Sequence, residues 1–373
     1  ILAQVWPTDS LAVCPMFQRI YDEIWKWIPW QLKTEVFLLC IKYDGSNEEG
    51  QQAFLEDFQS RILLTYRGGF TTELQLANGS TLRSDSGWGC MVRVMQMLVA
   101  QCLVSLRLGR AWRYNAEADL QPGSEYLDIM ACFLDIPDAP LSLHSIVYAG
   151  QKLLGKEPSQ WFGPTSAAQA MGSLLKSIAS GDPNDSSSNA LLKRVGCAVF
   201  EDGAVYRSTV LELFGKGFDA VIILLCRRLG LDSFNVDEYR AGLEECFKIP
   251  EFQGLASGNS STSAHYFIAT TGDQLLFLDP HKTQSSLESI ESIQDPTVAS
   301  TLHATRPLPL RWSRLNPSVC LGFLVQKEDF AGFCEKLSTG PCGEVFEVLE
   351  KRPDYAARLQ DMTEDGDDIV LVD

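Results

Sequence analysis

Residues 84–101 read SDSGWGCMVRVMQMLVAQ and set one thiol between a glycine-tryptophan-glycine turn and a long apolar run. From Met91 onward, Val94, Met95, Leu98, Cys102 and Leu106 recur at three- and four-residue spacing, which predicts a helix that stops near Gly109. Gly87 and Gly89 permit a tight turn before it, and Ser84, Asp85 and Ser86 are of the residue types that cap helices. Cys90 is thereby expected in the first turn. Unpaired N–H groups and the positive end of the helix dipole favour a thiolate there. No acidic residue lies between Ser86 and Ala116, where the chain's average would give about four, whereas Arg93, Arg107, Arg110 and Arg113 do. An acid-free surround would favour ionisation. The competing reading is a plain buried cysteine, the common fate of free thiols.

The rest of the 373-residue chain bounds what such a thiol could serve. At 45% hydrophobic residues it can bury a large core. A net charge of −17 argues against nucleic acid, because no basic patch exists to release phosphate counterions. No wholly apolar run reaches the roughly 18 residues that a bilayer span needs, and no secretory signal pattern is seen. Eleven scattered cysteines without a C-x-x-C pair, and only four histidines, fit neither a disulfide framework nor a structural zinc site. No metal and no cofactor is expected, and the reducing cytoplasm is the expected compartment.

Several segments suggest the architecture. Phe17–Gln31, within a tryptophan-rich N-terminal stretch, has amphipathic spacing, and 51–66 reads as a helix. Between about 115 and 190 the pattern is mixed and ends in GDPNDSSSN, which reads as an inserted small subdomain. CAVF (197–200), AVIILLC (220–226), HYFIATT (265–271) and LLFLD (275–279) read as strands, with a helix over 239–247 among them. The unbroken apolar run of AVIILLC suits a central strand covered on both faces. Gly272-Asp273 suits a hairpin turn. The acidic end, 361–373, is expected to be mobile.

A nucleophilic thiol needs a base, and the base an orienting group. Asp279 and His281 sit two apart at the end of an apolar strand, around Pro280, so an extended chain turns both side chains to one side. Such a carboxylate selects the imidazole tautomer and supports the imidazolium. The order Cys90, His265, Asp279 is an equal rival from the residues alone, since papain-like enzymes run cysteine, histidine, then an acid or amide.

The quoted stretch, together with WFGP (161–164), SAHYFIA (263–269) and LDPHKTQ (278–284), resembles the autophagins, cysteine proteases that process ubiquitin-like autophagy modifiers of the GABARAP type. The likeness spans about Ser60 to Leu349 in the same order. It implies an α+β, papain-like cysteine protease fold with a small inserted arm at about 115–190, within one catalytic domain over residues 1–360. It also implies His281 as base and Asp279 as its orienting carboxylate, leaving His265 a supporting strand residue. Papain's oxyanion glutamine lies six residues before its cysteine, where this chain has Ser84. The family pattern offers Tyr66, in Tyr66-Arg67-Gly68-Gly69-Phe70, as oxyanion donor instead. Family members cut after a glycine admitted between a tryptophan and a mobile loop. Trp161 matches the first, and Gly254–Thr262, with Gly258 and Asn259, matches the second, although Ser261-Thr262-Ser263 stands where the family carries a proline. Tyr21–Ile24 and Phe346–Leu349 fit short docking motifs that add a strand to the modifier, although at 10% aromatics such matches arise by chance and Phe346–Leu349 reads as a core strand. The implied partner is the modifier, met transiently at a membrane surface when lipidated, by an enzyme expected to be monomeric. The alternatives are another papain-fold acyltransferase and a silent modifier-binding adaptor.

Overall fold

A computed structural model describes residues 32, 34–181, 191–260 and 262–353. The expected Phe17–Gln31 helix, the Tyr21–Ile24 motif, the end of the GDPNDSSSN segment and the acidic end lie outside the described residues.

Seven strands form the main sheet in the order Leu308–Arg311, Gln274–Leu278, His265–Thr271, Phe252–Ser257, Ser318–Gln326, Ala220–Arg228, Val195–Phe200. Only the last pair runs parallel. A hairpin of Glu35–Leu38 and Ile41–Asp44 also joins His265–Thr271, with Phe37 opposite Thr270. All four apolar runs read from the sequence are strands here. Ala220–Cys226 is buried at every position, because both edges are paired and both faces covered. Gly272 turns the expected hairpin at φ +54°, and Thr271 faces Gln274 across it.

The quoted stretch opens the helix Cys90–Arg107, followed by Leu108 as cap and Gly109 at φ +82°. Its 18 residues have a mean hydropathy of 1.3, and Cys90 through Val104 are buried, so this is the core helix of the fold. It lies against the sheet where Gly322 removes a side chain: a Cβ there would stand 2.3 Å from Leu98 Cδ2. Phe323 turns to the other face and packs on Phe333, ring centroids 5.1 Å apart. Helices therefore cover both sides of the sheet, the α+β, papain-like arrangement. Gly322→Ala is expected to overpack this contact and cost about 1–3 kcal/mol. The denaturant midpoint of the purified variant checks it, and an unchanged midpoint would refute the close approach.

Two expectations need correction. The helix expected over 51–66 is Glu48–Gln59, capped by Asn47 Oδ1 accepting the Gly50 N–H at 2.7 Å. Beyond Ser60 the backbone pairs across the molecule instead. The Leu63 N–H donates to the Leu302 carbonyl at 2.7 Å and the Tyr66 N–H to the Pro280 carbonyl at 2.8 Å. Tertiary pairing overrides local propensity here. The loop expected over Gly254–Thr262 starts only after Ser257, since Phe252–Ser257 is an inner strand with every residue buried. Gly254, at φ +122°, lies under the Tyr266 ring, where a Cβ would be 2.3 Å from Tyr266 Cε2.

Within 115–190, the helix Pro164–Ser180 packs directly beside the sheet. A Cβ on its Gly172 would meet Val199 at 2.5 Å, and Ala167, Ala168, Ala170, Met171 and Leu175 are fully buried in the common core.

Candidate active site

Cys90 is the first residue of its helix, with Gly89 as cap and no side-chain cap bond. Ser84, Asp85 and Ser86 do not cap it. Asp85, fully buried, instead accepts the Arg67 N–H at 2.6 Å and Arg93 Nε at 2.7 Å, while its carbonyl accepts the Gly89 N–H at 2.9 Å. A Cβ on Gly89 would lie 2.7 Å from the Asp85 side chain, which is why glycine stands before the thiol. The acid-free run does not leave its arginines free, either. Arg93 pairs with Asp85 and with Asp135 at 2.8 Å, Arg107 with Glu125, and Arg110 and Arg113 with Asp57. Acids distant in sequence neutralise each one, so these cations are committed to the scaffold rather than to Cys90.

Asp279-Pro280-His281 leaves the strand Gln274–Leu278 at its end, and the two polar side chains meet: His281 Nδ1 lies 2.5 Å from Asp279 Oδ1. The Asp279 carboxylate also accepts the His281 N–H at 3.1 Å. Burial would raise the Asp279 carboxyl, but the His281 imidazole brings it down to about 2. Burial would lower His281; the bonds to Asp279 and to the Cys90 sulfur lift it to about 10. Burial pushes the Cys90 thiol up, and the facing His281, Tyr66 and Trp161 groups more than offset this, leaving it below the ordinary thiol value. The His281 ring thus stands between the Cys90 sulfur and the Asp279 carboxylate and bonds both. His265, the rival, keeps its Nε2 4.0 Å from Asp279 Oδ1, beyond hydrogen-bond reach, and burial drives its imidazole down to about 4. It stays neutral at physiological pH.

Tyr66 is buried beside this group, its ring edge-on to His281 at 5.5 Å between centroids. Burial and the Cys90 sulfur raise its phenol, which keeps it a proton donor. Its position follows from a short parallel pairing of Arg67–Gly68 with Gln284–Ser285, in which the Gln284 N–H donates to the Tyr66 carbonyl at 2.9 Å. The Gln284 side chain donates to Thr65 Oγ1 at 2.9 Å. Reading the sequence missed the part Gln284 plays and took Asp85 only for a candidate helix cap. The signal for Gln284 was its place in LDPHKTQ; for Asp85 there was none, since its partner Arg67 is 18 residues upstream.

Trp161 precedes Pro164, the first residue of its helix, and its indole N–H is buried near the thiol without an oxygen or nitrogen partner. The loop after Ser257 closes the other side. Thr262 carbonyl oxygen stands 4.0 Å from Cys90 Sγ. The loop is pinched at its base, where a Cβ on Gly258 would meet the Ser263 carbonyl at 1.9 Å and the Asn259 N–H donates to Ser263 Oγ at 3.2 Å. Asn259 and Trp161 line a groove of about 690 Å³ that also borders Arg228, Arg314 and Pro317. His281, Tyr66 and Trp161 therefore face the buried Cys90 sulfur, with Asp279 behind His281, while Gly258 and Asn259 sit at the base of the loop whose Thr262 carbonyl approaches it. Phe346–Leu349 is not free to dock: Phe346 is buried and Glu347–Leu349 pairs with Ala204–Tyr206.

The sign of the three shifts fixes a reactivity window. Asp279 stays ionised down to about pH 2 and His281 stays protonated up to about pH 10. Between those limits the imidazolium stabilises the thiolate, so alkylation of Cys90 by iodoacetamide should reach half its maximum well below the free-thiol value of about 8.5. Asp279→Asn should move that midpoint up. Mass measurement of the Cys90 peptide across pH tests this, and a midpoint at or above that of a free thiol overturns it.

The chain matches the Peptidase C54 catalytic domain over residues 51–336. It is 33% identical over 365 residues to "Cysteine protease ATG4B" of Xenopus laevis, covering 91% of this chain and 90% of that protein. It is equally 33% identical to "Probable cysteine protease atg4" of Aspergillus oryzae, over 74% of this chain and 70% of the relative. Against "Cysteine protease 1" of Neurospora crassa the identity is 33% over 78% of this chain, which spans 59% of that protein's length. The resemblance to the autophagins read from the motifs agrees with these relatives. The chain belongs to the Peptidase C54 family of cysteine peptidases.

Proposed function

We propose that the enzyme hydrolyses the bond after the C-terminal glycine of an autophagy ubiquitin-like protein, both in the precursor and in its phosphatidylethanolamine conjugate. The observation that carries this reading is the enclosure of the nucleophile. Cys90 is 0% exposed, with Trp161 on one side and the Thr262 carbonyl 4.0 Å from the sulfur on the other. A chain end can reach that sulfur only if the loop moves and the residue passing Trp161 carries no side chain. Both bonds are glycyl amides, so one slot serves both.

The chemistry follows from the donors present. The Cys90 thiolate attacks the glycine carbonyl carbon, and the oxygen that becomes negative lies toward the Cys90 N–H, free at the helix start, and the Tyr66 hydroxyl. His281 gives its Nε2 proton to the leaving nitrogen as the C–N bond breaks, which leaves a thioester on Cys90. Water then adds to the thioester carbonyl, with His281 taking its proton and Asp279 holding the ring in place throughout. The thiolate departs and the carboxylate product is released. No disulfide joins any two cysteines among the described residues, which suits a reducing cytoplasm as the working compartment.

Incubation with a tagged GABARAP-type precursor, followed by intact mass, tests the reading. Hydrolysis predicts a product ending in glycine, and alanine in place of that glycine should block it. A product carrying an added amine would mean an acyltransferase, and unprocessed but retained precursor would mean an adaptor.

A further inference from the structure

His265 is left over by this chemistry. Its ring is 6% exposed and wedged against Phe277, with centroids 4.3 Å apart. Its buried Nδ1 has no hydrogen-bond partner, and its Nε2 faces Asp279 from 4.0 Å without reaching it. Burying an imidazole with no partner costs free energy. The same geometry makes it a donor in waiting: one ligand atom each from His265, Asp279 and His281 all lie within 4.8 Å of one another. Two imidazoles and a carboxylate are the donor types that zinc takes, with a fourth position left for water.

We propose that His265 Nε2, Asp279 Oδ1 and His281 Nδ1 form a site for a borderline-soft divalent cation, zinc above all, which silences the peptidase reversibly. With bonds of about 2.0–2.2 Å, tetrahedral ligand atoms stand about 3.3 Å apart. The observed 2.5 Å between His281 and Asp279 and 4.0 Å between His265 and Asp279 straddle that value. Seating an ion means drawing together three donors that already lie within 4.8 Å of one another. The ion replaces the proton on His281 Nδ1, so one proton leaves for each ion bound. His281 then keeps only its Nε2 proton, which faces Cys90. Giving that proton to a leaving amine would create a metal-bound imidazolate, so the acid step stops. Hard, octahedral magnesium has no fit to this nitrogen-rich set.

The inhibitory part of this proposal rests on the hydrolytic reading above; the binding part does not, and calorimetry separates them. Zinc chloride titrated into chelator-treated full-length protein should bind one ion per chain. Repeating the titration in buffers of different ionisation enthalpy should show about one proton released. Cleavage should fall in step and return with excess chelator, while magnesium does nothing. Cys90→Ser should bind zinc as the unmodified chain does, and cobalt in its place should give ligand-field bands without sulfur-to-metal charge transfer. His265→Phe should need at least tenfold more zinc for half-inhibition relative to its own zinc-free rate. Loss of zinc binding in Cys90→Ser, or an unchanged zinc response in well-folded His265→Phe, would place the ion on the thiolate and overturn the proposal. Should His265→Phe not fold, the Cys90→Ser titration still decides.

Discussion

Cys90→Ser should lower single-turnover cleavage of a glycine-ended precursor by at least about a thousandfold while leaving the fold and substrate capture intact. The reason is specific to this sulfur. His281, Tyr66 and Trp161 together bring its thiol below the ordinary value against the opposing effect of burial. A serine hydroxyl is far too weak an acid for the same groups to ionise it. Oxygen for sulfur at a fully buried position changes volume little, so the core that packs Met91, Val94 and Leu98 is unaffected. Thermal unfolding should therefore sit close to that of the unmodified chain. Retention of more than about a tenth of the rate would move the nucleophile elsewhere.

How far the site could be read in advance depended on how local its causes are. Cys90 at a helix start and Asp279 beside His281 follow from glycine positions, helical spacing and a strand end, all within a few residues. The four apolar runs became strands because burial on both faces leaves no polar alternation to misread. What failed were the long-range pairings. Arg93 stands in a run of sequence without acids, yet its partner Asp135 is 42 residues away and the pair is buried. Ser84, Asp85 and Ser86 looked like caps, but the Asp85 carboxylate is spent on the Arg67 N–H and on Arg93, joining the Tyr66 strand to the Cys90 helix. Gly254 looked like loop material; only the Tyr266 ring lying over it explains a glycine inside a strand.

The two histidines can be told apart by an experiment in which the geometry makes opposite demands. His281 Nδ1 is 2.5 Å from Asp279 and bonds the Cys90 sulfur, whereas His265 stops 4.0 Å from Asp279 and touches no sulfur. His281→Ala should thus fall nearly as far as Cys90→Ser, and the double variant should be scarcely worse, because groups that act as one unit are not additive. Asp279→Asn keeps the shape but loses the charge that lifts His281 to about 10. It should cost about a hundred- to ten-thousandfold in rate with little change in affinity, and should raise the pH at which the thiolate forms. His265→Ala removes a ring packed on Phe277 and should lose stability while keeping most of the chemistry. Single-turnover rates should rank unmodified chain, His265→Ala, Asp279→Asn, His281→Ala. If well-folded His265→Ala is inert while His281→Ala still cleaves, the base is His265 and the alignment of Cys90, His281 and Asp279 is a neighbourhood rather than a mechanism.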